Sequence, residues 1–297
     1  MSGRTRGTVV LLCCLLAAAV LALGLSGAYT SEHNDTQQGV ATIDTWNMTV
    51  RDANGQAVEG YPAAITTPVD LHGPTPGWTV TLTATAELSA QSTLYLNTFY
   101  APYQLYVNGN LADSYGAPST YPAFLSDPPP FNSAVLVAGN ESPAQISIVY
   151  TVPSSYWGLR LTSMETGSFD AVRVMLFSQL GFAFSFGETL IALGLVLALL
   201  GLIVRRLEAN SAIFIWLGMF CVCIGMWSVG ECDLSSVIIK RPVTLHMMTY
   251  IGLYTLLIPL THLTRIVIDR PGDKLPFVLC RASEIFALAA IVAQLAG

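Results

Sequence analysis

Residues 180–204, LGFAFSFGETLIALGLVLALLGLIV, contain a single ionisable side chain, Glu188. A helix apolar on every face has no place on a soluble surface, and this run exceeds the about 20 residues that cross a bilayer's hydrocarbon core. Inside lipid a segment must satisfy its own backbone hydrogen bonds, which leaves a helix or a closed barrel. Runs of the same kind follow at 212–230, 245–268 and 277–297, the last with Arg281 and Glu284 at an interface. Residues 179–297 are therefore expected to form an α-helical transmembrane bundle.

A further apolar run opens the chain. Residues 7–28, GTVVLLCCLLAAAVLALGLSGA, follow Arg4 and Arg6 and end on small residues. Basic start, apolar core and small-residue end describe a signal peptide over residues 1–28, or an uncleaved signal anchor given the length of the core. Either one exports the segment from residue 29 onward. Arg4, Arg6, Arg205, Arg206, Arg265, Arg270, Lys274 and Arg281 fall on one side if every span crosses, and the positive-inside rule makes that side the cytoplasm. Lys240 and Arg241, in the outward loop 231–244, run against the pattern.

Between these runs the chain changes character. Residues 29–178 are rich in Thr, Ser, Tyr, Pro, Asn and Gly and contain no long apolar stretch, although the whole chain is 53% hydrophobic and 11% charged. GWTVTLTATAEL alternates Trp78, Val80 and Leu82 with threonines, the period of a half-buried strand. YQLYVNGNLADSYG carries Asn108-Gly109 between two β-like runs, and such a pair supplies the positive φ values of a type I′ hairpin turn. DTWNMTVRD, STLYLNTFY, SAVLVAG and AQISIVYTV read as further strands, and FDAVRVMLFS as a last strand entering the membrane. Short strands without helices between them suggest an extracellular β-sandwich.

Residues 28–179 hold three basic residues against twelve acidic ones, a formal charge of −9, which argues against nucleic acid as a partner. All six cysteines (13, 14, 221, 223, 232 and 280) lie in or beside apolar runs, so the exported segment has no disulfide. That favours a bacterial outer-face protein over a small animal ectodomain. The aromatic set there serves strand packing first. Tyr103, Tyr106, Tyr115 and Trp157 are the candidate ligand-binding residues, because exposed rings stack on flat ligands such as sugar faces.

Gly187, Gly194 and Gly201 recur every seven residues in one span, and Gly218 and Gly225 do so in the next. Small stripes let helices approach closely. Packing within one bundle is the leading use, and a homodimer seam the alternative. Intramembrane ionisable groups are functional suspects, here Glu188 and His246. His246 and His262 fall on roughly opposite helix faces, which speaks against a relay. No H-E-x-x-H, G-x-S-x-G, P-loop or zinc-spaced Cys pair is present. No catalytic residue, metal site or cofactor is assigned.

The order of parts resembles the N-terminal portion of bacterial seven-transmembrane receptors with diverse intracellular signalling modules. The version ahead of diguanylate cyclase domains is the most similar. STLYLNTFYAPYQLYVNGNLADSYG resembles that family's strand, then a Tyr-x-Asn-Gly hairpin with an aromatic-Gly ending. AQISIVYTVPSSYWG resembles its closing strand, and GMWSVGECDLSSVIIKRPVTLHMMTYIGLYTLLIPLTHL a pair of its helices. The resemblance implies a jelly-roll or galactose-binding-like sandwich that binds a small extracellular ligand, a carbohydrate among the candidates. The helices would relay binding to a cytoplasmic output. It further implies that three spans and the Gly-Gly-Asp-Glu-Phe cyclase domain lie outside this chain, so that any enzyme activity is elsewhere. The expected location is the bacterial inner membrane, multi-pass, with residues 29–178 extracytoplasmic. Two rival readings are a membrane-anchored binding protein without signalling and a transporter or membrane-enzyme subunit.

Overall fold

The computed structural model describes residues 39–89, 91–137, 142–154, 158–205, 211–268 and 274–296. The expected signal segment 1–28 and Trp157 lie outside the described residues. Two compact units emerge, Asp35–Phe177 with Asp233–His246, and Ser178–Cys232 with Met247–Leu295.

The first unit is β-rich. Its strands are β1 (Val40–Ile43), β2 (Thr45–Arg51), β3 (Ala64–Thr66), β4 (Val69–Leu71), β5 (Thr79–Ala86), β6 (Ser92–Thr98), β7 (Tyr103–Val107), β8 (Asn110–Tyr115), β9 (Phe131–Val137), β10 (Ala144–Thr151), β11 (Leu159–Leu161) and β12 (Met164–Ser168). They form a six-stranded sheet ordered β3-β2-β5-β10-β7-β8, a four-stranded sheet ordered β1-β12-β6-β9, and the pair β11-β4. The inward residues of both larger sheets share one core: Trp46, Val80, Leu82, Ile146 and Ile148 from one, Leu94, Leu96 and Met164 from the other. Period-2 alternation produces this. Val80 and Leu82 are fully buried, while the threonines between them line the opposite face.

The Asn108-Gly109 turn forms as its residues dictate, with φ of 50° and 80° joining Val107 to Asn110. Its Asn108 also exchanges two bonds with the neighbouring strand: its N–H donates to the Gln145 carbonyl at 2.8 Å, and its Oδ1 accepts the Gln145 N–H at 2.8 Å.

Strand β6 is buried on both faces, because a short helix covers its sheet. Residues 231–244, expected to be a loop, contain the helix Asp233–Ile239. Helices are labelled in chain order: α1 (Phe169–Val204), α2 (Ala212–Glu231), α3 (Asp233–Ile239), α4 (Pro242–Thr255), α5 (Leu257–Ile268) and α6 (Leu275–Ala296). Extended backbone at Cys232 separates α2 from α3, and Pro242 opens α4 at a position that needs no N–H.

A second departure concerns FDAVRVMLFS, which is helical and starts α1, not a strand. Val172, Met175 and Leu176 are buried there at helical spacing, so one face of the first turns packs inward. The 36 residues of α1 rise about 54 Å, well beyond the about 30 Å hydrocarbon core.

Among the described residues, four apolar segments are long enough to cross a membrane: Phe169–Val204, Ala212–Glu231, Pro242–Ile268 and Leu275–Ala296. The chain is a multi-pass membrane protein with a β-rich region ahead of its helices. The third segment breaks between α4 and α5. Pro259 has no N–H to give the Thr255 carbonyl, and the Leu256 N–H bonds Leu253 instead.

In the helical unit the glycine stripes of α1 and α2 face each other. A Cβ on Gly218 would lie 2.5 Å from the Gly194 carbonyl oxygen, and one on Gly225 2.7 Å from that of Gly187. Gly201 packs as closely on Ile215.

Candidate functional site

The β-rich unit carries an open cleft of about 1180 Å³. Strand β7 contributes Gln104, the loop after β8 contributes Tyr121 and Asp127, and the segment after α3 contributes Lys240. Its wall is braced by a carboxylate. Asp113 Oδ2 on β8 accepts the Tyr103 hydroxyl at 2.6 Å and the Ser133 hydroxyl at 2.6 Å, which ties β7 and β8 to the edge strand β9 of the other sheet. Burial, the adjacent Asp113 charge and the bond to it all push the Tyr103 phenol far up, so it stays a neutral donor.

The structure brings two of the four aromatic candidates to this cleft. Tyr103 and Tyr115 face each other across the hairpin, ring centroids 6.2 Å apart. Tyr103 is only 2% exposed, so its ring belongs to the core and offers no open face to a ligand. Tyr115 stacks on Phe131 at 4.5 Å and donates to the Pro129 carbonyl at 2.7 Å, which anchors the proline-rich loop. Tyr106 does not line the cleft but donates to Gln104 Oε1, which does, at 2.8 Å. From the sequence, Asp113 and Ser133 carried no signal, and Lys240 stood out only as a charge against the orientation pattern, not as a cleft residue.

A second polar constellation sits on the outward face of the four-stranded sheet. Asp233, first residue of α3, accepts the Asn132 side-chain amide at 3.0 Å and that of Asn97 at 3.2 Å. The Asn132 N–H donates to Ser236 Oγ at 3.0 Å, and Asn132 Oδ1 accepts the Tyr95 hydroxyl at 2.9 Å. Burial raises the Asp233 carboxyl above its ordinary range, and the two amides oppose that only in part. Glu165, level with Tyr95 on β12, is likewise raised by burial. Asn132 and Ser133 are neighbours on β9, so one strand carries both the cleft wall and the seat of α3.

The intramembrane candidates are dispersed. Glu188 is exposed on α1. His246 is buried, its ring edge-on to Tyr100 at 6.2 Å. In the helical unit His262 stacks on Trp216 at 3.9 Å and bonds Glu284 at 3.1 Å, and Arg281 bonds the same carboxylate at 2.6 Å. Among the described residues no cluster of His, Cys, Asp and Glu is placed to hold a metal ion.

No family model and no curated protein matches the chain. Among solved structures, the GH2 β-galacturonidase from Eisenbergiella tayi bound to galacturonate is similar over 43% of this chain and 24% of its own, at 11% identity and a TM-score of 0.30. The GH31 α-xylosidase from Xanthomonas citri is similar over 48% and 22%, at 12% identity and a TM-score of 0.23. The chain thus spans under a quarter of either enzyme, and these scores carry no argument about fold or chemistry.

Proposed function

We propose that the protein is the sensory portion of a bacterial signal-transduction protein. In this reading the two sheets form a jelly-roll or galactose-binding-like sandwich on the extracytoplasmic side of the inner membrane. A small ligand, with carbohydrates the first class to try, binds in the cleft. The membrane helices relay the event to a cytoplasmic output, a diguanylate cyclase if the sequence resemblance holds.

One observation carries the reading. Helix α3 is joined to α2 by Cys232 alone and to α4 by Lys240-Arg241, and it is hydrogen-bonded to β6 and β9 through Asp233 and Ser236. The next residue of β9, Ser133, belongs to the cleft wall. A ligand that binds two positions of β9 with different affinity must therefore bias α3, and a ligand without such a difference passes no signal.

The test uses the full chain in lipid nanodiscs. A thermal-shift screen against sugars, amino acids and nucleotides is followed by amide exchange of residues 233–239 with any hit. The expected result is a raised melting temperature with altered exchange in α3, both abolished by Gln104→Trp, which fills the cleft from an exposed position. No shift from any class defeats the sensory reading. A shift with α3 unchanged defeats the relay and leaves an anchored binding protein.

A further inference from the structure

The β-rich unit holds a second, smaller cavity of about 180 Å³, which the sensory reading does not use. Its walls are almost wholly apolar: Ala134 from β9, Val172, Leu176 and Phe177 from α1, Leu234 and Val237 from α3. An apolar cavity of about 150 Å³ stays dry and takes a benzene-sized group. This one has room for a short alkyl segment.

Two lining residues, Thr93 and Arg173, break the apolar wall. Thr93 on β6 is 1% exposed, and its hydroxyl has no hydrogen-bond partner among the described residues. Leaving a buried hydroxyl unpaired is costly, so a fitting occupant carries an acceptor beside its alkyl chain. At the rim, the exposed Arg173 guanidinium lies 3.1 Å from the exposed Asp170 carboxylate. A surface pair of this kind is held weakly and opens readily to a better partner. One positive and one negative group side by side complement a headgroup that carries both signs.

The lining also adjoins an apolar span along the chain. The 20 residues of α2 span about the hydrocarbon thickness, and Cys232, just past its end, reaches the Leu180 carbonyl at 3.7 Å. Phe177 lies three residues before Leu180 on the same helix α1. Phe177 is 50% exposed and Ile238, another lining residue, 47%.

We propose that this cavity binds a zwitterionic glycerophospholipid of the adjacent leaflet. The upper segment of one acyl chain fills the cavity and its ester carbonyl accepts the Thr93 hydroxyl. The phosphate sits on Arg173 and the ammonium on Asp170, with the rest of the chain leaving the cavity past Phe177. The assignment stands whether or not the cleft binds a ligand.

The experiment reconstitutes the full chain in phosphatidylethanolamine vesicles containing a trace of phosphatidylethanolamine with a diazirine close to the ester. Irradiation and peptide mass spectrometry locate the adducts. Adducts are expected at Leu176 and Leu234, and also at the exposed span residues Val196 and Ile203, which serve as internal reference. Thr93→Val keeps the shape and removes the hydroxyl. It should cut cavity labelling by the ester probe by about tenfold, the equivalent of about 1.4 kcal/mol, and leave labelling by an ether-linked analogue unchanged. Ala134→Trp should abolish cavity labelling by both probes, and a phosphatidylglycerol probe should label the cavity less than phosphatidylethanolamine. Adducts confined to the reference residues overturn the proposal. So does cavity labelling that Thr93→Val leaves unchanged, or that is as strong with phosphatidylglycerol.

Discussion

Asp113 and Asp233 each gather two side-chain donors from distant points of the chain, and each sits where strands must be held together. Replacing Asp113 with Ala leaves the buried Tyr103 hydroxyl without its acceptor, which costs about 1–3 kcal/mol. The expected outcome is a lower melting temperature of the full chain, partly restored by adding Tyr103→Phe. A melt equal to wild type would show that the bond contributes nothing. Asp233 makes a prediction about pH. Its folded-state pKa is raised, by burial first, so its contribution to holding α3 is complete below the unfolded Asp value of about 3.9. That contribution is lost as pH rises through the folded value. Amide exchange of residues 233–239 should therefore slow, relative to the intrinsic rate, between about pH 7 and about pH 4, and Asp233→Asn should flatten the trend. Faster corrected exchange in acid would reverse the sign and sink the assignment. Neither carboxylate stood out in the sequence, because a lone acid carries no pattern. Its partners are 20 residues away for Asp113 and Ser133, and 136 away for Asp233 and Asn97.

Among the elements, those with a strong local period were legible and those defined by their surroundings were not. The Val-Thr-Leu alternation of β5 and the Asn108-Gly109 turn announce themselves within a few residues. The three-residue strands β3, β4 and β11 have no such signature. DLSSVII, read as part of a loop, is a helix because the outward face of β6 and β9 offers Asn97 and Asn132 to its first turn. The first ten residues of α1 misled through β-branched and aromatic content, although Val172, Met175 and Leu176 already carried helical spacing. At this scale the glycine stripes give a sharp prediction. Gly218→Val places side-chain atoms where a Cβ alone would stand 2.5 Å from the Gly194 carbonyl, and overpacking of this kind costs about 1–3 kcal/mol or more. Gly252→Val should act similarly, since its Cβ would meet the Cys223 carbonyl at 2.7 Å. Thermal denaturation in detergent measures both, with Leu200→Val, on an exposed position, as the neutral comparison. If Gly218→Val melts with that control, the stripe is not a packing surface.

For the whole molecule the governing question is which way it sits in the membrane. The basic residues beside the spans favour one answer. Arg205 follows α1, Arg265 lies in the last turn of α5, and Arg281 lies near the start of α6, whereas the β-rich segment is strongly acidic. Lys/Arg excess near span ends faces the cytoplasm, so the prediction is that the three ends share that side and that α3 lies opposite. Arg173, near the start of α1, opposes this, as do Lys240 and Arg241. Lys240 closes α3 with a positive φ of 50°, and both stand between α3 and α4, so their placement follows from a helix seated on β9. Reporter fusions expressed in bacteria decide the matter. Alkaline phosphatase joined after Lys240 should be active and green fluorescent protein there dark, with the reverse pattern after Arg205 and after Arg265. Fluorescence at Lys240 would put the β-rich unit in the cytoplasm, and a sensor of external ligands could not then be built on its cleft. The same fusions made with Lys240→Ala and Arg241→Ala should leave the pattern unchanged, because the arginines beside the spans outnumber this pair and the β-rich segment holds only three basic residues against twelve acidic ones.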